Sequence, residues 1–137
     1  LGNTLTDKPA NTLQRTILII DDDRGLQTIF SIALQRNGYR VVARDDAQSG
    51  LKWLEQILPD MILLDMMLPG ISGMEMLKLI RATDNGKNVP IMVATASSIL
   101  TAEHFKQWGV IRFFHKPVLP SDIVSAMESY FNSQTPQ

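Results

Sequence analysis

Four short stretches of this chain carry side chains whose types could do chemistry together. Asp21-Asp22-Asp23 offers consecutive carboxylates and Asp65 another; Thr95 brings a hydroxyl, and Lys116, within His115-Lys116-Pro117, an ammonium. Carboxylates gathered in one crevice repel each other unless a cation lies between them. A hard divalent ion with oxygen ligands answers that need. Mg2+ is the expected ion, because it keeps several waters and leaves room for a phosphate oxygen. A lysine would neutralise more charge and a hydroxyl would donate one hydrogen bond. Such a set suits a transferring phosphoryl group, whose chemistry rests on positioning and electrostatic stabilisation. A carboxylate can itself be the nucleophile.

These residues act together only if the fold brings them together. Thr16 to Ile20 is a short apolar run of the kind found in strands buried on both faces. Leu26, Ile29, Phe30, Ala33 and Leu34 then recur at helical spacing, with Gly38 as a stop. Arg40 to Arg44 reads as a second strand. Ala47, Leu51, Leu54 and Leu58 form one face of a second helix, closed by Pro59. Asp60 to Leu64 is a third strand running into Asp65. Pro69 and Gly70 mark a loop, and Met76, Leu77 and Ile80 a third helix. Asn85-Gly86 marks a turn. Val89 to Ala94 is a fourth strand, Ile99 to Trp108 a short helix ending at Gly109, and Val110 to Phe114 a fifth strand. Ile123, Met127, Tyr130 and Phe131 mark a last helix. Residues 1–15 read as a flexible lead-in, 16–132 as one folded domain and 133–137 as a tail.

Strictly alternating strands and helices with apolar strands imply an α/β domain whose parallel sheet is covered on both faces. Right-handed crossovers restrict its topology. The expected architecture is a doubly wound (βα)5 flavodoxin-like sheet of order 2-1-3-4-5, an order known from such folds and not deduced from this sequence. Ligands in these sheets bind outside the carboxyl ends of the strands. Strand one ends in the acid run, strand three in Asp65, strand four at Thr95 and strand five at Lys116. Each feature has a plainer reading alone. The acids could cap a helix, Asp65 could be a turn residue, and Lys116 could be a solvated charge. Four such features at one edge are harder to explain separately.

Composition narrows the alternatives. The chain has 137 residues, 45% hydrophobic and 20% charged, with 13 basic against 14 acidic side chains and no cysteine. That suits one soluble domain able to bury a core unaided. Thiolate chemistry and disulfides are excluded. No basic cluster points to nucleic acid as a direct partner. No apolar run reaches membrane-spanning length, and the cytoplasm is the expected compartment. His104 and His115 lie on different elements and make no metal site. Met66, Met67, Met74 and Met76 read as fillers of core and loop.

The stretches Ile17-Leu18-Ile19-Ile20-Asp21-Asp22-Asp23, Leu63-Leu64-Asp65-Met66-Met67-Leu68-Pro69-Gly70, Val93-Ala94-Thr95-Ala96 and His115-Lys116-Pro117 resemble the signatures of response-regulator receiver domains. The resemblance covers about residues 15–132. It implies that Asp65 accepts a phosphoryl group from a sensor histidine kinase or histidine phosphotransfer protein. It implies that Asp22 binds Mg2+ directly with Asp65 and the backbone carbonyl of Met67, and that Asp21 acts through water. Lys116 would contact the phosphoryl group, ahead of a bond to Pro117 that is often cis in the family. Thr95 and Phe113 would be the switch residues. The fourth helix, fifth strand and fifth helix would form the output face, open to a downstream protein, a fused effector or a second copy. Such a domain is not an enzyme, since it catalyses only its own phosphorylation and dephosphorylation.

Met67 stands where a polar side chain is frequent and would shield an acyl phosphate from water. Trp108 replaces a small residue and reads as core filler or, alternatively, dimer surface. Phe113 has the plainer reading of a buried strand residue. Two rival functions remain: a receiver-like scaffold that works without phosphorylation, and a phosphatase using the Asp-x-Asp pair of Asp21 and Asp23. Against the latter, Gly25 stands where haloacid-dehalogenase-type phosphatases carry a threonine, and Asp65 would go unused.

Overall fold

The computed structural model describes residues 14–134. Its elements alternate as expected: β1 (Thr16–Ile20), α1 (Arg24–Arg36), β2 (Arg40–Arg44), α2 (Ala47–Gln56), β3 (Met61–Leu64), α3 (Gly73–Arg81) and β4 (Ile91–Thr95), then a 3-10 helix (Ala102–Trp108), β5 (Val110–His115) and α4 (Pro120–Gln134). The strands pair in parallel in the order β2-β1-β3-β4-β5. The doubly wound expectation is therefore correct.

The sheet separates two apolar layers, and the period-two alternation of strand side chains decides which residue enters which. Ile17 and Ile19 point toward α1 and α4, where they meet Phe30, Leu34, Ile123 and Met127. Leu18 and Ile20 point the other way, into a layer with Leu54, Met76, Ile80 and Phe105. β1, β3 and β4 are buried nearly throughout, and β2 and β5 form the half-exposed edges. Helix starts are set by side-chain caps. Asp23 accepts from the Leu26 amide (3.1 Å), Asp46 from Ser49 (2.7 Å) and Ser72 from Glu75 (3.1 Å). Pro120 opens α4, where its missing N–H costs nothing.

Several boundaries differ from the sequence reading. α2 stops at Gln56, and Leu58 lies outside it at 63% exposure, so Leu58 is not part of the buried helical face. Pro59, which follows, is buried instead. β3 starts at Met61, and Asp60 just before it is tied to β1 twice, its amide donating to Thr16 O (2.8 Å) and its side chain accepting from the Thr16 amide (2.8 Å). β4 starts at Ile91 and takes in Thr95 as its last residue. The fourth helix starts at Ala102 and not at Ile99, which is 81% exposed, and it is a 3-10 helix throughout. α4 continues to Gln134, so Ser133 and Gln134 belong to a helix and not to a tail.

Residues 1–13 of the expected lead-in, and 135–137 of the expected tail, lie outside the described residues. Arg15 is tied to the fold. Its carbonyl accepts from the Arg40 amide (2.8 Å), and its guanidinium carbon sits 4.5 Å from the Phe131 ring centre.

Phe105 anchors the 3-10 helix, fully buried and stacked on Phe113 with ring centres 5.3 Å apart. Phe105→Ala is expected to lower unfolding free energy by about 3–5 kcal/mol, the usual cost of emptying a buried phenylalanine site. Urea denaturation checks it.

Candidate functional site

Parallel strands place their carboxyl ends at one edge, and register aligns them. Ile20 lies beside Arg44 and Leu64, and Thr95 lies beside His115. The residues that follow, Asp21, Asp65 and Lys116, thus emerge side by side. Two backbone bonds fix them there: the Asp65 amide donates to Ile20 O (2.9 Å) and the Lys116 amide to Thr95 O (2.8 Å). The Lys116–Pro117 peptide bond is cis.

Lys116 is the hub. Its Nζ donates to Asp21 Oδ2 at 2.8 Å and to Asp65 Oδ2 at 3.3 Å, with only 12% of its side chain exposed. Both carboxylates are otherwise satisfied locally. Asp21 Oδ1 accepts from the Asp23 amide (2.9 Å), and Asp65 Oδ1 from the Met67 amide (3.0 Å). Asp21 and Asp65 are buried, whereas Asp22 is exposed, and one carboxylate oxygen from each lies within 4.8 Å of the others. Three carboxylates against one ammonium leave excess negative charge in a tight cluster of hard oxygen donors. That donor set fits Mg2+.

Burial pushes the Asp21 carboxyl above its ordinary range, and the Lys116 hydrogen bond offsets this only in part. Burial pulls the Lys116 ammonium down, but Asp21 and then Asp65 outweigh it and leave its pKa raised.

Asp21, Asp22, Asp65 and Lys116 are therefore brought together. Thr95 is fully buried on the adjacent strand end. Its hydroxyl accepts from the Ser97 amide at 3.3 Å. Asp23 stands apart as the cap of α1, so the capping reading of the acid run holds for that one residue. Phe113 lies outside the cluster. It is half-buried, stacked on Phe105, with the His115 ring against its edge at 4.8 Å. His104 and His115 are exposed. Met66 and Met76 fill core, while Met67 is 56% exposed beside the site. Trp108 packs against the second apolar layer, in keeping with the core reading.

The sequence reading missed Gln27, whose amide donates to the Asp21 carbonyl (2.5 Å) from the second turn of α1. Its one sequence signal was a polar residue on the first turns after the acid run. Arg81 was missed too. Its guanidinium donates to Trp108 O (2.8 Å), Gly86 O (2.9 Å), Val89 O (2.6 Å) and Gly109 O (3.3 Å).

Fold and site together define a doubly wound parallel α/β domain with a lysine-bridged acidic crevice at the carboxyl edge of its sheet. The chain belongs to the response regulator receiver domain family, which it matches over residues 17–128. It is 31% identical over 124 residues to the DNA-binding response regulator MtrA of Mycobacterium tuberculosis, covering 87% of this chain and 51% of that protein. It is 42% identical over 81 residues to the transcriptional regulatory protein AfsQ1 of Streptomyces coelicolor, covering 59% of this chain and 35% of AfsQ1. The chain thus matches about half of one relative's length and a third of the other's.

The receiver domain of the sensor histidine kinase PA1611 from Pseudomonas aeruginosa, described with a magnesium ion in its active-site cleft, superposes with a TM-score of 0.76 at 27% identity. That match covers 88% of this chain and 99% of the receiver. The chemotaxis response regulator CheY4 of Vibrio cholerae shares the fold, with a TM-score of 0.77 at 23% identity over 85% of this chain and 98% of CheY4. These proteins define a signalling family, and no described helix here is long and apolar enough to cross a membrane. Setting nucleic acid aside as a partner needs correcting at the family level, since MtrA is a DNA-binding regulator by name.

Between 3.8 and its raised value, Asp21 keeps in the folded chain a proton that the unfolded chain has released. Its contribution to stability is therefore present at low pH and lost as pH rises through that window. The urea midpoint of metal-free wild type, relative to Asp21→Asn, is expected to fall from acid toward neutral pH. A constant difference would show that Asp21 titrates normally.

Proposed function

We propose that this chain is a phosphoacceptor receiver, with Asp65 as the acceptor. The observation that carries the reading is the shared hydrogen bonding of Asp65 and Asp21 to one part-buried lysine, with Asp22 close by. In the transfer, a carboxylate oxygen of Asp65 attacks phosphorus in a phosphohistidine of a kinase or phosphotransfer protein. The P–O bond forms as the P–N bond breaks, and the imidazole leaves with the electron pair. Lys116 already reaches the Asp65 carboxylate and follows the charge onto the phosphoryl oxygens.

Mg2+, held by Asp22, Asp65 and the Met67 carbonyl with Asp21 acting through water, would supply charge neutralisation at the phosphoryl oxygens. PA1611's magnesium-bearing cleft supports that assignment. The Thr95 hydroxyl, now on the Ser97 amide, would turn to a phosphoryl oxygen. Phe113 would then shift against Phe105, changing the face formed by the 3-10 helix, β5 and α4. That face is the reading's output surface, for a downstream protein, a fused effector or a second copy. Transcriptional relatives such as MtrA and AfsQ1 support regulation of transcription as the output class.

Incubation with acetyl phosphate and Mg2+ is expected to add one phosphoryl mass, absent in Asp65→Asn and with a chelator. No addition despite Mg2+ binding would leave a scaffold that works without phosphorylation. Met67, exposed beside Asp65, shields the acyl phosphate from water, so Met67→Asn is expected to shorten its half-life severalfold. An unchanged lifetime, followed by loss of the added mass with time, would remove Met67 from that role.

A further inference from the structure

The opposite edge of the sheet, at the amino ends of β4 and β5, holds a cavity of about 470 Å³. That volume is in the range of small-molecule sites. Arg81, Lys87, Asn88, Gln107, Trp108 and Tyr130 are among the residues that line it, and no acidic side chain does. Acids are present nearby, but Asp60 and Asp84 line a separate hollow beyond Asn88 and Pro90. The two recesses are thus separated by sign of charge.

Two features of the lining favour an anion. Arg81 is partly desolvated, which lowers its pKa, and it forms no ion pair among the described residues. Its guanidinium bonds only to backbone carbonyls, so its full charge has no counter-charge. Lys87, Asn88 and Gln107 are exposed and their side chains make no hydrogen bond or ion pair with the described residues. The Trp108 indole N–H is buried without a partner among the described residues and has no surface open to the cavity, so Trp108 contributes to the lining through its other atoms. Two aromatic side chains, Trp108 and Tyr130, flank these donors with flat apolar surface.

We propose that this cavity binds a small molecule carrying a carboxylate or phosphate group on a flat apolar body. The oxyanion meets Lys87 and the electropositive surroundings of Arg81. The flat body lies against Trp108 and Tyr130. The site is separate from the acidic crevice and does not depend on Asp65 being phosphorylated.

The chain has two tryptophans, which supplies a reporter and an internal control. Trp53 sits on α2, away from the cavity lining. Indole N–H resonances of metal-free 15N-labelled protein would be followed during titration with sodium benzoate, and separately with sodium phosphate, at constant ionic strength. The Trp108 indole is expected to shift saturably while Trp53 stays still. Lys87→Glu, an exposed substitution compatible with folding, is expected to weaken binding at least about fivefold. Saturation by benzoate alone would identify an aromatic carboxylate as the ligand class, and by phosphate alone a phosphoryl compound. No saturable shift with either probe, or an affinity unchanged in Lys87→Glu, would overturn the site.

Discussion

The arrangement depends on keeping two buried carboxylates beside each other at the carboxyl edge of a sheet. Buried like charges are costly, and an ion pair in low dielectric is stabilising only when its hydrogen bonds are complete. Lys116 meets that condition with 2.8 Å and 3.3 Å bonds to Asp21 and Asp65. The Asp23 and Met67 amides meet the rest. Much of the surrounding structure serves to hold these partners in register. The central strands are buried nearly throughout, and the turns after β1 and β3 each aim one amide back at the preceding carboxylate.

The arrangement is satisfied but not neutral. Asp22 adds a third carboxylate at the solvent side of the cluster, with its oxygen within 4.8 Å of the other two. The raised pKa of Asp21 reflects burial that its lysine does not fully offset. A site tuned this way favours the arrival of positive charge and, with it, a ligand rich in negative oxygen.

What was legible in the sequence follows from how local each signal is. The strands announced themselves as apolar runs, and their shared carboxyl edge followed from alternation with helices. The sequence alone therefore gathers Asp21, Asp65, Thr95 and Lys116 at one edge. Leu58 misled because its spacing matches the face of α2, whereas the chain leaves the helix at Gln56. Nothing in the side-chain pattern of residues 99–108 distinguishes a 3-10 helix from an α-helix, because both place apolar residues three to four apart. Gln27 and Arg81 were invisible because each acts through backbone carbonyls, which leave no trace in side-chain pattern.

The contacts around Thr95 close into a ring. Its carbonyl accepts from the Lys116 amide, which fixes the end of β5. Its hydroxyl accepts from the Ser97 amide, which fixes the start of the segment leading to the 3-10 helix. That helix carries Phe105, which stacks on Phe113 of β5, and Phe113 meets His115 one residue before Lys116. On the proposed switch, a rearranged hydroxyl would act on the 3-10 helix from its N-terminal side, while β5 holds it through Phe113. Long 3-10 helices have poor hydrogen-bond geometry and are uncommon. This one spans seven residues, with exposed Ile99 ahead of it. On the receiver reading, a change at the acidic crevice would reach this helix at its start, while the Arg81 bonds to Trp108 O and Gly109 O hold its far end in place.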